Sequence, residues 1–142
     1  MSDADPQWKT RAVEYEGYPL LLRCPFHLPY ERQAELPILF VLTHILDHVT
    51  ESGLPEARYN TDLLEFDSAA VQPLLDASEI ATVLVETFGG KRTYYSYISR
   101  TADVDAAVAR LQTRFPDVRL EHETCENADW RFIRRYAADY GM

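Results

Sequence analysis

Two histidines have the spacing of paired metal ligands. His44 and His48 stand four positions apart, which would place both imidazoles on one face of a helix. The run that contains His44 is typical of a strand, however, and no glutamate completes a His-Glu-x-x-His pattern. We therefore expect no metal site and no bound cofactor.

Glu121 and Glu123 alternate along a β-prone run, so their carboxylates project from the same face of one strand. Carboxylates placed close together shift each other's pKa and can act as an acid/base pair. A solvated sheet face shows the same pattern, and the sequence offers no nucleophile motif to accompany the pair. We expect both glutamates to face solvent, and we assign no catalytic residue.

The run after Gly89-Gly90 carries an unusual group of Arg92, Tyr95 and Tyr97. Aromatic side chains beside arginine are typical of protein-binding surfaces, because they offer a large contact area at little cost in side-chain entropy. We take these three residues as a candidate protein-binding site. The alternative is that the phenols cover the sheet beneath a helix, which is frequent for tyrosine.

A second candidate site follows the N-terminal part of the chain. Arg23, His27 and Tyr30 are polar residues around a proline-rich segment at 25–37, which cannot continue a helix or a strand. If that segment crosses the sheet, a ligand cleft would form beside it. These residues are the candidate ligand contacts.

Glycine pairs and β-prone runs predict two hairpins that position these side chains. Glu16-Gly17 separates two short β-prone runs over residues 8–24, and Gly89-Gly90 separates two more over residues 80–99. Residues 38–42 predict a central strand, since they are apolar on both alternating faces. Residues 118–125 alternate in polarity and predict a strand near the sheet edge.

Capping residues predict three helices. Asp62 with Glu65 forms a capping box, Asp103 precedes an apolar stripe that ends before Pro116, and Asn127 precedes the last stripe. Residues 38–125 then follow the order strand, helix, strand, strand, helix, strand. This order predicts an α+β fold of the ferredoxin-like split βαββαβ type, a mainly antiparallel sheet with helices on one face.

The chain has 142 residues, 46% of them hydrophobic, and a net charge of −9. Its length predicts a single domain over 1–142, with a flexible N-terminus at 1–7, a hairpin at 8–24, a core at 38–125 and an added C-terminal helix at 127–140. The acidic balance repels phosphate backbones, so we expect no nucleic-acid partner.

The first residues are acidic where a signal peptide needs basic ones, and the longest apolar run, 37–46, is far below the ~20 residues of a membrane span. The two cysteines are about a hundred positions apart and form no CxxC motif. We expect a cytoplasmic protein with reduced thiols and no membrane partner.

Several short motifs resemble one family. They are a hairpin that begins at Trp8, Gly-Leu-Pro at 53–55, the hairpin at 89–97, and Asn-Ala-Asp-Trp at 127–130. Together they resemble the bacterial domain-of-unknown-function family 695. The resemblance implies a fold group more than an activity. Members are more distantly associated with proteins similar to the ribonuclease E regulator B, an acidic inhibitor that binds a protein, which implies a regulatory role.

The absence of a catalytic motif, the acidic balance and the aromatic hairpin favour a small, non-enzymatic protein-binding or regulatory domain. We expect its partner to be another protein. The alternative is a small-ligand-binding protein or small enzyme that uses the cleft near residues 25–37.

Overall fold

The computed structural model describes residues 8–46, 49–51, 53–54, 63, 65–70 and 75–141. The chain is an α+β protein with one six-stranded antiparallel sheet. The strands are β1 (Trp8–Tyr15), β2 (Tyr18–Pro25), β3 (Ile38–Ile45), β4 (Ile80–Phe88), β5 (Lys91–Ile98) and β6 (Arg119–Glu126). The helical parts among the described residues are 63 and 65–70, α1 (Val104–Arg114) and α2 (Arg131–Tyr140), with a short 3-10 turn at Tyr30–Arg32. None of these is long and apolar enough to cross a membrane.

The strands lie in the order β1-β2-β4-β5-β3-β6, and every neighbouring pair is antiparallel. β3 pairs with β5 on one side and β6 on the other, which confirms the predicted interior strand. β6 ends the sheet, which confirms its predicted place at the edge. The N-terminal hairpin extends the sheet from β4 through a short pairing that runs from Leu21 opposite Thr87 to Arg23 opposite Val85.

One face of the sheet packs against α1 and the helical residues 65–70. Phe40 and Leu42, two positions apart in β3, belong to a buried cluster with Phe66 and with Ala107 and Leu111 of α1. Successive strand residues point to opposite faces, so Leu39 and Val41 face the other way. The continuous apolar run of β3 is therefore explained by burial on both sides.

The opposite face packs against α2. Leu39 of β3 and Tyr97 of β5 join Trp130 and Ile133 in a second buried cluster, in which each of the four is at most 5% exposed. Helices consequently cover both faces of the sheet. The sequence pattern predicts helices on one face and an added C-terminal helix. That added helix covers the second face.

Both predicted hairpins are present, and their turns have the expected backbone. Glu16 and Gly17 have φ values of 53° and 85°, and Gly89 and Gly90 have φ values of 60° and 82°. Two successive positive φ values are those of a two-residue type I′ turn, whose twist matches the twist of paired strands. Glutamate at the first of these positions is strained, because a side chain disfavours the left-handed region.

The helix that follows β5 begins as predicted, and the last helix does not. The Asp103 carboxylate accepts a hydrogen bond from the Ala106 N–H at 3.1 Å, which caps α1. The prediction that Asn127 is the N-cap of the last helix is wrong. α2 begins at Arg131 after Trp130, because a turn closed by the Trp130 N–H and the Asn127 carbonyl at 2.9 Å comes first. Asn127 still accepts a hydrogen bond, from the Phe132 N–H at 3.1 Å.

The predicted crossing segment at 25–37 is ordered. Arg32 donates to the carbonyls of Ala77 and Ser78, both at 3.0 Å, and to the carbonyl of Ile80 at 3.2 Å. Leu36, near its end, is completely buried. One guanidinium thus joins this segment to the chain that enters β4.

Candidate functional site

Two of the three tyrosines of β5, Tyr95 and Tyr97, lie beneath α2. Tyr97 is fully buried and stacks on Trp130, with ring centroids 4.3 Å apart. Tyr95 is half-buried and stacks on Phe132 with centroids 4.6 Å apart. The arrangement is the one in which phenols cover the sheet beneath a helix, so these two residues do not present an exposed surface.

A carboxylate from β4 lies among these phenols. Glu86 accepts a hydrogen bond from the Tyr136 hydroxyl at 2.6 Å. Burial, together with the negative charge of Glu86, raises the pKa of the Tyr136 phenol far above its usual value. The same two causes raise the pKa of Tyr95. Both phenols therefore remain protonated donors at neutral pH, and neither is poised to act as a base.

Arg92 lies on the opposite face of β5 from Tyr95 and Tyr97. Its Nε donates to the Thr87 hydroxyl at 3.0 Å, and its guanidinium lies 3.6 Å from the carboxylate of Asp67. The structure therefore does not bring the three predicted binding residues together on one surface.

Arg23 lies on the same face as Arg92, and both arginines contact the carboxylate of Asp67. One nitrogen of Arg23 contacts both oxygens of Asp67, at 2.7 and 2.8 Å, and the Tyr94 hydroxyl donates to the same carboxylate at 2.8 Å. Arg23 and Arg92 are predicted from the sequence to belong to two different candidate sites. The fold brings these two arginines together.

His27 and Tyr30, the other predicted cleft residues, line a shallow groove of about 250 Å³ beside Cys24. The Tyr30 ring packs against Trp130 at 6.0 Å and beneath the guanidinium of Arg134 at 4.2 Å. Arg23 does not line this groove. The structure thus pairs His27 with Tyr30 and separates both from Arg23.

Three residues weighed for metal or acid/base chemistry, His44, Glu121 and Glu123, do not line this groove. His44 is buried in β3, with its ring 4.6 Å from that of Phe66, and His48 lies outside the described residues. Glu121 and Glu123 are exposed on the edge strand β6, as expected. Within the part of the chain that the structure describes, no cluster of three or more histidine, cysteine or acidic side chains could hold a metal ion.

Sequence reasoning missed an aromatic surface at one end of the sheet. Tyr15 and Tyr18 face each other across the first hairpin turn and are 48% and 54% exposed. The ring of Phe88 packs edge-on against Tyr15, with centroids 5.6 Å apart. Tyr18 and Phe88 line a concavity of about 420 Å³. The signal was present in the sequence, since an aromatic residue flanks each side of Glu16-Gly17 and precedes Gly89-Gly90.

A loop and a turn form the floor of this concavity. The Gly90 N–H donates to the Gly53 carbonyl at 2.9 Å, and a Cβ on Gly53 would lie 2.9 Å from the Cα of Gly89. Only glycine permits this close approach. Among the described residues that line the concavity, the charged ones are Glu16 and Glu51, and both are exposed. We call Tyr15, Tyr18, Phe88, Glu16 and Glu51, with this glycine floor, the tip surface.

The comparisons with known proteins identify a family without an assigned activity. Residues 6–136 match the family described as a family of unknown function, DUF695. No curated protein and no solved structure matches the chain.

Proposed function

Because the chain belongs to the DUF695 family, whose description names no activity, we propose its function from the geometry alone. We propose that it is a small, non-enzymatic regulatory domain, and that its tip surface binds a positively charged segment of another protein. The observation that carries the proposal is the exposure of Tyr15 and Tyr18, about half of each side chain, side by side at the first hairpin turn.

Exposed tyrosines favour a protein partner for an energetic reason. A tyrosine ring has few rotatable bonds and a large apolar area, so its burial in an interface costs little conformational entropy. Phe88 and the glycine floor make the surface concave, and a partner side chain can therefore contact it from several directions. A concave aromatic surface of this kind is a typical anchor point for an interface.

The charge at the rim favours a basic partner segment. Glu16 and Glu51 flank the rings, and the whole chain carries a net charge of −9. A lysine of the partner would meet these carboxylates and could also pack over the face of Tyr15 or Tyr18. A second copy of this acidic chain is less favourable as the occupant, because like charges would approach one another.

Two further proposals concern setting and fold. Both cysteines are free thiols, Cys24 buried and Cys125 exposed, which supports a reducing, cytoplasmic setting.

We also propose that residues 38–125 form a ferredoxin-like βαββαβ unit, supported by the strand order β4-β5-β3-β6 with two helical connections. Right-handed crossovers in an experimental structure would support that topology, and a left-handed one would contradict it.

Carbodiimide cross-linking in lysate, followed by affinity capture and mass spectrometry, tests the proposed function. The reagent joins a carboxylate to a lysine in direct contact, so it reports on Glu16 and Glu51 themselves. Three tagged proteins are compared: the wild type, Tyr15→Ala/Tyr18→Ala, and Phe26→Ala. Phe26 is 51% exposed and lies outside the tip surface, which makes it a matched control for the loss of an exposed ring.

We expect a cross-link from Glu16 or Glu51 to a lysine of a partner protein, lost in the double tyrosine variant and retained in Phe26→Ala. A synthetic peptide that contains that lysine should then bind the purified wild type and lose affinity as salt is raised. The proposal is overturned if neither glutamate is cross-linked, if the double variant retains the same partner, or if the cross-links join two copies of this chain.

A further inference from the structure

Two arginines that contact the carboxylate of Asp67 line a groove on the sheet face opposite the tip tyrosines. The groove has a volume of about 200 Å³ and is lined by Arg23, Arg92, Thr10 and Thr87, with apolar walls that include Leu21 and Val85. The arginines come from β2 and β5, which are separated in the sheet by β4. A site assembled from four neighbouring strands is held rigidly in place by their backbone pairing.

Among the described residues, the charges at this groove do not balance. Asp67 is the only described acid within ion-pair distance of either arginine, at 2.7 Å from Arg23 and 3.6 Å from Arg92. These two guanidinium groups and this carboxylate together carry one positive charge, within a chain whose net charge is −9. The Arg92 side chain is only 15% exposed, so water screens its charge less than that of a surface arginine.

The contacts of Asp67 orient the arginines without using all of their donors. One Arg23 nitrogen donates to both oxygens of Asp67, and the Arg92 Nε donates to the Thr87 hydroxyl. A guanidinium has five N–H donors in a fixed plane, which match the oxygens of a carboxylate or a phosphate. The hydroxyls of Thr10 and Thr87 line the same groove and can add hydrogen bonds to such a group.

We infer that this groove is a binding site for a small molecule that carries a carboxylate or a phosphate group, with Arg23 and Arg92 as the anion contacts. Its volume is below the ~300 Å³ at which drug-sized pockets begin, so the ligand is of metabolite size. Asp67 is the positioning residue that holds both guanidinium groups. The site is separate from the tip surface, so this inference goes beyond the proposed function.

Titration of ¹⁵N-labelled protein at constant ionic strength tests the site, with inorganic phosphate and propionate as separate probes. We expect at least one probe to give saturable shifts centred on the amides of Thr10, Val85 and Thr87. If phosphate alone does so, the ligand is a phosphate compound; if propionate alone does so, it is a carboxylate. Mapping on the wild type keeps the test valid even where a variant folds poorly.

Two variants separate a built site from general attraction of anions. Arg92→Gln should weaken the binding of the effective probe at least tenfold, and Arg92→Lys should weaken it less, because the charge remains and the planar donor set is lost. Arg135→Gln removes an exposed arginine from α2 and should leave binding unchanged. The Tyr15→Ala/Tyr18→Ala protein should bind the probe as the wild type does.

The inference is overturned if neither probe gives saturable shifts up to about 50 mM, a concentration that would fill most of a site with a dissociation constant of about 10 mM. It is also overturned if Arg92→Gln and Arg135→Gln bind equally well, or if the shifts centre on other residues. A failure here with intact cross-linking at the tip surface would leave the proposed protein-binding function standing.

Discussion

The indole of Trp130 stacks on the phenol of Tyr97 with ring centroids 4.3 Å apart and ring planes inclined by 11°. Trp130 also donates from its indole nitrogen to the Leu36 carbonyl at 2.8 Å. Its backbone is left-handed, with φ at 54°, which costs a non-glycine residue roughly 1–2 kcal/mol. Burial of a tryptophan is worth about 3–5 kcal/mol, so the packing outweighs the backbone strain.

Trp130→Ala should therefore lower the free energy of unfolding by about 3–5 kcal/mol. Tyr97→Phe should cost about 1–3 kcal/mol, because it removes a hydroxyl that donates to Asn127 at 2.8 Å and accepts from the buried Ile133 N–H at 3.4 Å. Urea unfolding followed by circular dichroism measures both. The exposed-site variant Phe26→Ala should stay within about 0.5 kcal/mol of the wild type. A cost under about 1 kcal/mol for Trp130→Ala would show that α2 does not unfold together with the sheet.

The buried phenols predict a loss of stability in alkali. Burial first, and the charge of Asp67 second, raise the pKa of Tyr94 well above its ordinary value of 10.0. Above about pH 10 the unfolded chain releases this proton and the folded chain retains it, so the free energy of unfolding falls as pH rises. Below pH 10 both states are protonated and the contribution is constant.

Urea unfolding at pH values from 8 to 11.5 tests this pH dependence. Each such phenol adds a slope of at most about 1.4 kcal/mol per pH unit. Tyr94→Phe and Tyr136→Phe should each make the alkaline slope shallower, since phenylalanine has no proton to release. An unchanged slope in both variants would show that other groups cause the loss of stability at high pH.

The two thiols should react at very different rates. Cys24 is 2% exposed in β2, and burial raises the pKa of its thiol, whereas Cys125 is exposed on the edge strand β6. Since the thiolate is the reactive form, a maleimide should modify Cys125 quickly and Cys24 only when the fold opens. Mass spectrometry of the native protein should show one rapid adduct, which Cys125→Ser abolishes. Two rapid adducts would mean that β2 opens readily.

Gly53→Ala should lower the free energy of unfolding by more than the cost of backbone strain alone. Gly53 has φ at +87°, and a Cβ there would lie 2.9 Å from the Cα of Gly89. Gly17→Ala is the matched control, because Gly17 has φ at +85° and no described atom within 4 Å of the added Cβ. We expect Gly17→Ala to cost about 1–2 kcal/mol in urea unfolding and Gly53→Ala to cost clearly more. Equal costs would contradict the close approach of this loop to the β4–β5 turn.

Local patterns were sufficient to predict the elements and most of their ends. Glycines set the two hairpin turns, Asp103 set the start of α1, and alternating polarity placed β6 at the edge, because each depends on residues within a few positions. The first residue of α2 was missed for a physical reason. The turn after Asn127 places Trp130 in the core. The stabilisation gained by burying that side chain is not visible in a capping pattern.

The sequence by itself determined the α+β class, the hairpins and the residue types that a site could use. Only the tertiary structure decided which of those residues meet. Asp67 contacts Arg23, 44 positions away, and Tyr94, 27 positions away, and α2 covers Tyr95 and Tyr97 while Tyr15 and Tyr18 stay exposed. Such contacts follow from the strand order and from which face each helix covers. Both are set by the packing of the whole chain, and no short window of sequence contains them.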